Sequence, residues 1–159
     1  MSGLNPLYVV SQVASAATVV VALWKGDRAT RAAAIAFAIL DVATSIIRPR
    51  VGDVSSETIL LVIDFFCAVT FLLLAVRYAS LWLGAAMIFQ AAQFSLHAYY
   101  LVMELPHDRM HAWINNTDDW GILVSIGVGT VLAIRRRAAL AREEAEREAL
   151  RQERASRVR

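Results

Sequence analysis

Five apolar stretches, each close to bilayer length and nearly free of charge inside, set the terms for what this 159-residue chain can fold into. A helix needs roughly 20 mainly apolar residues to cross the hydrocarbon core of a membrane. The stretches run over about 6–24, 30–47, 57–76, 79–105 and 120–134, the last being the shortest. In a soluble five-helix bundle each helix would carry charge along its outer face. The apolar fraction, 58%, also exceeds the roughly 45–50% of an ordinary soluble domain. The pattern therefore predicts an all-α fold: one polytopic transmembrane helix bundle over 1–134, followed by a charged cytoplasmic helical tail over 135–159.

Local signals mark the ends of the spans. Pro6 suits the first turn of a helix, and Lys25-Gly26-Asp27-Arg28 reads as a short polar turn. Arg48-Pro49-Arg50 stops the second span, because proline disfavours helix in the residue before it. Ser56 is a candidate N-cap for the third span, and Arg77-Tyr78 leaves only a tight link to the fourth. The fourth span, ended by Pro106, is long enough to tilt. Residues 106–119 read as the longest loop. Beyond Arg135 the pairs Glu143/Arg147 and Glu153/Arg157 are spaced i,i+4, and Glu144/Arg147 and Glu148/Arg151 i,i+3, each contributing a few tenths of a kcal/mol on an exposed helix. The apolar positions of this tail are mostly alanine, so a coiled-coil seam is weak.

Charge sets the expected orientation. Residues 1–134 carry seven basic and nine acidic side chains, and 135–159 carry nine basic and five acidic. With five spans, Lys25, Arg28, Arg31, Arg77 and Arg135–Arg137 fall on one side, which the positive-inside rule assigns to the cytoplasm. The N-terminus then lies outside, and Trp24, Trp82, Trp113 and Trp120 sit near span ends, as an interfacial belt requires. Arg135–Arg137 are placed to meet anionic lipid headgroups rather than nucleic acid. The first span is expected to be retained, since Met1–Tyr8 lacks the basic region of a secretory signal, and no lipidation motif is read. The single cysteine, Cys67, excludes an intramolecular disulfide.

Polar residues inside apolar spans are costly in lipid and mark places where a partner, water or a ligand is needed. Here they are Gln12, Asp41, Asp64, Gln90, Gln93 and His97. At about 1.5 Å of rise per residue, Gln12, Asp41 and Asp64 each lie roughly 9–10 Å in from the outer side. Gln93 and His97 fall in the outer half of their span, and Gln90 nearer the middle. The spacings of 3, 4 and 7 put Gln90, Gln93 and His97 on one helix face. The expectation is a polar cluster, open to the outer side, that could bind a cation, relay protons or hold a polar ligand. A plain structural network, with Arg48 paired to Asp41 two turns away, accounts for the same residues. Two neighbouring aspartates would need a proton, a cation or that arginine to compensate them.

Other chemistry is thinly represented. Glu104, His107 and His111 read E-x-x-H-x-x-x-H, a weak metal-ligand spacing, but Pro106 interrupts the helix it needs and the order H-E-x-x-H is absent. No nucleophile elbow, phosphate-binding loop or dinucleotide fingerprint is present, so no catalytic residue and no cofactor are assigned. Asn115-Asn116-Thr117 is formally a glycosylation sequon. Gly121, Ser125 and Gly129 form a small-residue stripe that lets helices approach closely.

Ile63-Asp64, Phe89-Gln90 with His97 seven residues on, His111-Ala112-Trp113 and Gly127-Val128-Gly129-Thr130 carry a likeness to a known group. Over about 6–134 the chain resembles small inner-membrane proteins of alphaproteobacteria that have no assigned activity. The resemblance implies an inner-membrane location and nothing about mechanism; the charged tail departs from the group's pattern. The expected function is a non-enzymatic accessory or binding component of a membrane complex, with the 138–159 tail available to a protein partner. Transport or proton relay through Asp41, Asp64 and His97 is the main alternative. Permeabilisation of the holin type is a third, and a metal-dependent membrane enzyme the last.

Overall fold

The computed structural model describes residues 6–47, 54–106 and 108–157. Among them are five helices and no strands: α1 Pro6–Lys25, α2 Arg28–Ile47, α3 Val54–Tyr78, α4 Leu81–Val102 and α5 Arg109–Arg157. Sequence neighbours pack side by side, and α5 closes the arrangement by packing on α1, α2 and α4. Arg48, Pro49, Arg50, Asp53 and His107 lie outside the described residues, and with them the expected Arg48–Asp41 pair.

Helix ends follow local chemistry. Asp27 caps α2, its Oδ1 accepting from the backbone N–H of Thr30 at 2.9 Å and from the Thr30 hydroxyl at 2.8 Å. An N-cap carboxylate satisfies donors that an α-helix leaves free in its first turn. Asp108 does the same for α5, accepting from the His111 N–H at 2.8 Å. At the end of α4, Leu105 N–H donates to Tyr100 C=O at 3.0 Å and Glu104 N–H to Leu101 C=O at 3.3 Å. This is the paired closure that requires a left-handed residue, and Glu104 supplies it with φ 51°. Ala79 makes the α3–α4 turn at φ 45°.

Several expected boundaries move. The fourth span, expected to reach Leu105, stops at Val102 because the Glu104 closure comes before Pro106 acts. Ser56, expected as an N-cap, falls inside α3. The largest change is α5: most of the expected 106–119 loop is helix, and the helix runs 49 residues without a break into the tail. Its length is about 73 Å at about 1.5 Å per residue. From Arg135 to Arg157 its described side chains are exposed, and Glu153 pairs with Arg157 at 2.5 Å.

Polarity is inverted relative to a water-soluble bundle. Val13, Ile39, Phe66, Leu73, Ile88 and Val124 are exposed, while Gln90 is fully buried, Asp64 is 3% exposed and Gln93 is 5% exposed. Three helices are long and apolar enough to cross a membrane: Arg28–Ile47, Glu57–Tyr78 and Arg109–Arg154. The 22-residue α4 has the length, but Gln90, Gln93 and His97 dilute its apolar character, and all three turn inward. Over its described side chains α1 is a shorter apolar helix, Val9–Lys25. Hydroxyls on apolar helices bond their own backbone: Thr70 to Phe66 C=O, Ser95 to Ala91 C=O and Thr130 to Ile126 C=O, at 2.7–2.9 Å. Such bonds satisfy the hydroxyls within their own helix.

The bundle has two unlike halves. The end that carries the α1–α2 and α3–α4 turns holds the packed core, built from Ala22, Ala33, Ala34, Phe71, Leu83 and Ile126 with their neighbours. Alanines at this level let the helices approach closely. Arg137 ties α5 to the α1–α2 turn there, its Nη2 donating to Gly26 C=O at 2.8 Å. A Cβ on Gly26 would lie 2.2 Å from Ala22 C=O, so the turn needs glycine. The opposite end holds the polar residues.

Candidate functional site

The polar end encloses a cavity of about 540 Å³ to which all five helices contribute, within the roughly 300–1,000 Å³ of small-molecule sites. Its walls carry four carboxylates, Asp41, Glu57, Asp64 and Asp119, and two imidazoles, His97 and His111. Amides come from Gln12, Gln93, Asn115 and Asn116. No lysine or arginine is among its described lining residues. Phe37, Leu40, Leu60, Trp120 and Leu123 supply apolar wall.

The side chains are held in three groups. On α2, Asp41 is gripped from α1: Gln12 Nε2 donates to its Oδ1 at 3.3 Å and Ser15 Oγ to its Oδ2 at 3.0 Å. Across the cavity, Asp64 on α3 pairs through Oδ2 with His97 Nδ1 on α4. The Gln90 amide faces Asp64 Oδ1 at 3.5 Å. From α4, Gln93 Nε2 donates to Asn115 Oδ1 at 3.1 Å and to Asp119 Oδ1 at 3.3 Å, binding α4 to α5. His97 stacks on His111 with centroids 5.2 Å apart and planes 28° apart. Tyr100 meets His111 edge-on at 4.7 Å and donates its hydroxyl to Asp108 Oδ1 at 2.8 Å.

Asp108 lies between α4 and α5 and is clear of the apolar helix bodies. The His111 N–H, then the Tyr100 hydroxyl, stabilise its ionised form and lower its pKa below the ordinary 3.8. The cap is thus negatively charged beside a helix N-terminus, where the macrodipole favours it.

Of the residues singled out from sequence, Asp41, Asp64, Gln93 and His97 line the cavity, and Gln90 sits behind Asp64. The weak metal set does not assemble on one helix: Glu104 is in the α4 closure and His111 in the first turn of α5. Among the described residues no three His, Cys, Asp or Glu side chains converge to hold a metal ion. The small-residue stripe faces aromatic rings of α4. A Cβ on Gly121 would lie 2.6 Å from the Phe89 ring, and one on Gly129 2.6 Å from Trp82. Ser125 Oγ bonds Gly121 C=O at 2.8 Å.

Sequence reasoning missed Glu57, His111, Asn115 and Asp119 as cavity residues. The last three were read as loop, yet they share one helix face. His111, Asn115, Asp118, Ile122, Ser125 and Gly129 recur every three or four residues, and the described buried positions of α5 follow that register. No protein-family profile, curated protein or solved structure matches the chain.

Proposed function

We propose that the chain is a polytopic membrane protein of five spans whose outer-half cavity binds a positively charged species. The observation that carries this is the cavity wall: four carboxylates and two imidazoles, with no lysine or arginine among its described lining residues. Carboxylates that cannot spread their charge into water favour a cation or a proton in the space between them. An intramembrane group of this kind is by default a functional site. The exposed apolar faces support a lipid surround. The basic residues of the other end support a cytoplasmic tail and an external N-terminus. The resemblance to alphaproteobacterial inner-membrane proteins supports the inner membrane as the location.

In this reading the protein is a binding component rather than an enzyme. Direct proton relay between His97 and His111 is a weaker fit, because stacked rings present faces rather than nitrogens to one another. An accessory role in a larger complex is compatible with cation binding, and α5 favours it. Its helix continues past the bundle to Arg157 with Leu140 and Leu150 exposed.

Melting temperatures in nanodiscs test the cavity. Small inorganic and organic cations should stabilise the protein at constant ionic strength, and anions of similar size should not. The double variant Asp41→Asn/Asp119→Asn should lose that response. Equal stabilisation by anions, or an undiminished response in the variant, would remove the reading.

A further inference from the structure

We infer that the ligand of this cavity is a protonated amine carrying an apolar body, held by hydrogen bonds as well as by charge. The inference rests on the cation-binding reading and narrows it. Three features select this chemistry.

The first is Gln93. Its amide is 5% exposed and lines the cavity, and its Nε2 donates to both Asn115 and Asp119. Both partner oxygens accept, which sets the amide with its NH2 toward them. The remaining atom, Gln93 Oε1, is buried without a hydrogen-bond partner. A buried acceptor left unpaired is destabilising, and an N–H donor from a ligand would relieve it. A quaternary ammonium or a neutral hydrocarbon has no such donor.

The second is the spread of the acids. Asp41, Glu57, Asp64 and Asp119 come from three helices, α2, α3 and α5, around the wall. They do not converge as a bare metal ion needs, six or more oxygens at about 2.0–2.6 Å for calcium or magnesium. The third is the volume and the apolar wall. About 540 Å³ is far more than a monatomic cation fills, and Phe37, Leu40, Leu60, Trp120 and Leu123 would lie unused beside one. An amine with an aromatic or branched aliphatic body places its ammonium among Gln93, Asp119 and the other acids, and its body against these side chains.

Isothermal titration of the full-length protein in nanodiscs tests this with phenethylamine, 2-phenylethanol and phenethyltrimethylammonium as probes, and sodium chloride as the inorganic control. Phenethylamine should bind saturably at one site, at least tenfold more tightly than either the alcohol or the quaternary analogue. Gln93→Met should weaken phenethylamine at least tenfold and bring it level with the quaternary probe. Asp119→Asn, which keeps the side-chain shape, should weaken it at least tenfold should the Gln93 variant fail to fold. Equal affinity for amine and alcohol would overturn the inference, as would equal affinity for amine and quaternary ion. Sodium binding without amine binding would overturn it while leaving the cation reading intact. Binding of none of the probes, with no cation-dependent stabilisation, would overturn both.

Discussion

Asp64 and His97, 33 positions apart on α3 and α4, meet through Oδ2 and Nδ1 at the wall of the acid-lined cavity. The carboxylate is 3% exposed, and the pair joins two helices whose link is only the turn at Ala79. Breaking a buried pair leaves one partner without compensation, and this costs about 3–5 kcal/mol. His97→Leu should therefore lower stability by about 3 kcal/mol, read as a fall in midpoint on denaturant unfolding in detergent. Replacing both partners, Asp64→Leu/His97→Leu, should recover most of the loss. A single variant as stable as the parent would show that the pair does not hold α3 to α4.

The glycines of α5 should respond unequally. A Cβ at Gly121 or Gly129 would press on the Phe89 or Trp82 ring at 2.6 Å, while none of the surroundings of Gly127 lies within 4 Å. Gly121→Ala and Gly129→Ala should each cost about 1–3 kcal/mol through overpacking. Gly127→Ala should be neutral or gain up to about 1 kcal/mol from helix propensity. Melting temperatures of the three variants give the comparison, and the same sign at all three would contradict it.

Glu104 holds the left-handed position that closes α4, at φ 51°. A side chain there costs about 1 kcal/mol relative to glycine. Glu104→Gly should raise the melting temperature, and an unchanged or lower value would argue against this closure.

The Asp108 cap makes a pH-dependent contribution. Because its folded pKa lies below the unfolded value of 3.8, its stabilisation is complete above that value and is lost as pH falls through the folded pKa. The melting-temperature gap between parent and Asp108→Asn should be constant at neutral pH and shrink on acidification below 3.8. A gap that persists at the acid end would mean that the charge of Asp108 contributes nothing.

Much of this arrangement was legible in the sequence because a bilayer-length helix advertises itself by composition. Helices α1 to α4 fall within a few residues of the apolar stretches, and Asp41, Asp64, Gln93 and His97 were identifiable as polar exceptions within them. Helix α5 was harder to read. Its first turns carry His111, Asn115, Asp118 and Asp119, which by composition alone resemble a solvated loop. They are helical because that face packs inward, and the packing partner, Gln93, is on another helix. Likewise, spacing pointed Asp41 to Arg48, which lies outside the described residues, and carried no sign of its described partners Gln12 and Ser15 on α1. Pairings between helices depend on how the spans rotate against one another, which spacing along one span does not determine.

The most direct test of the proposal that the acid-lined cavity opens to the outside is thiol labelling in whole cells. In a Cys67→Ser background, single cysteines at Thr44 and Asn116 place a thiol on the cavity wall. Membrane-impermeant thiosulfonates of matched size, one cationic and one anionic, are then added from outside. The cationic reagent should react at least tenfold faster than the anionic one at both positions, without permeabilising the cells. Equal rates, a faster anionic reagent, or labelling only after permeabilisation would contradict this account.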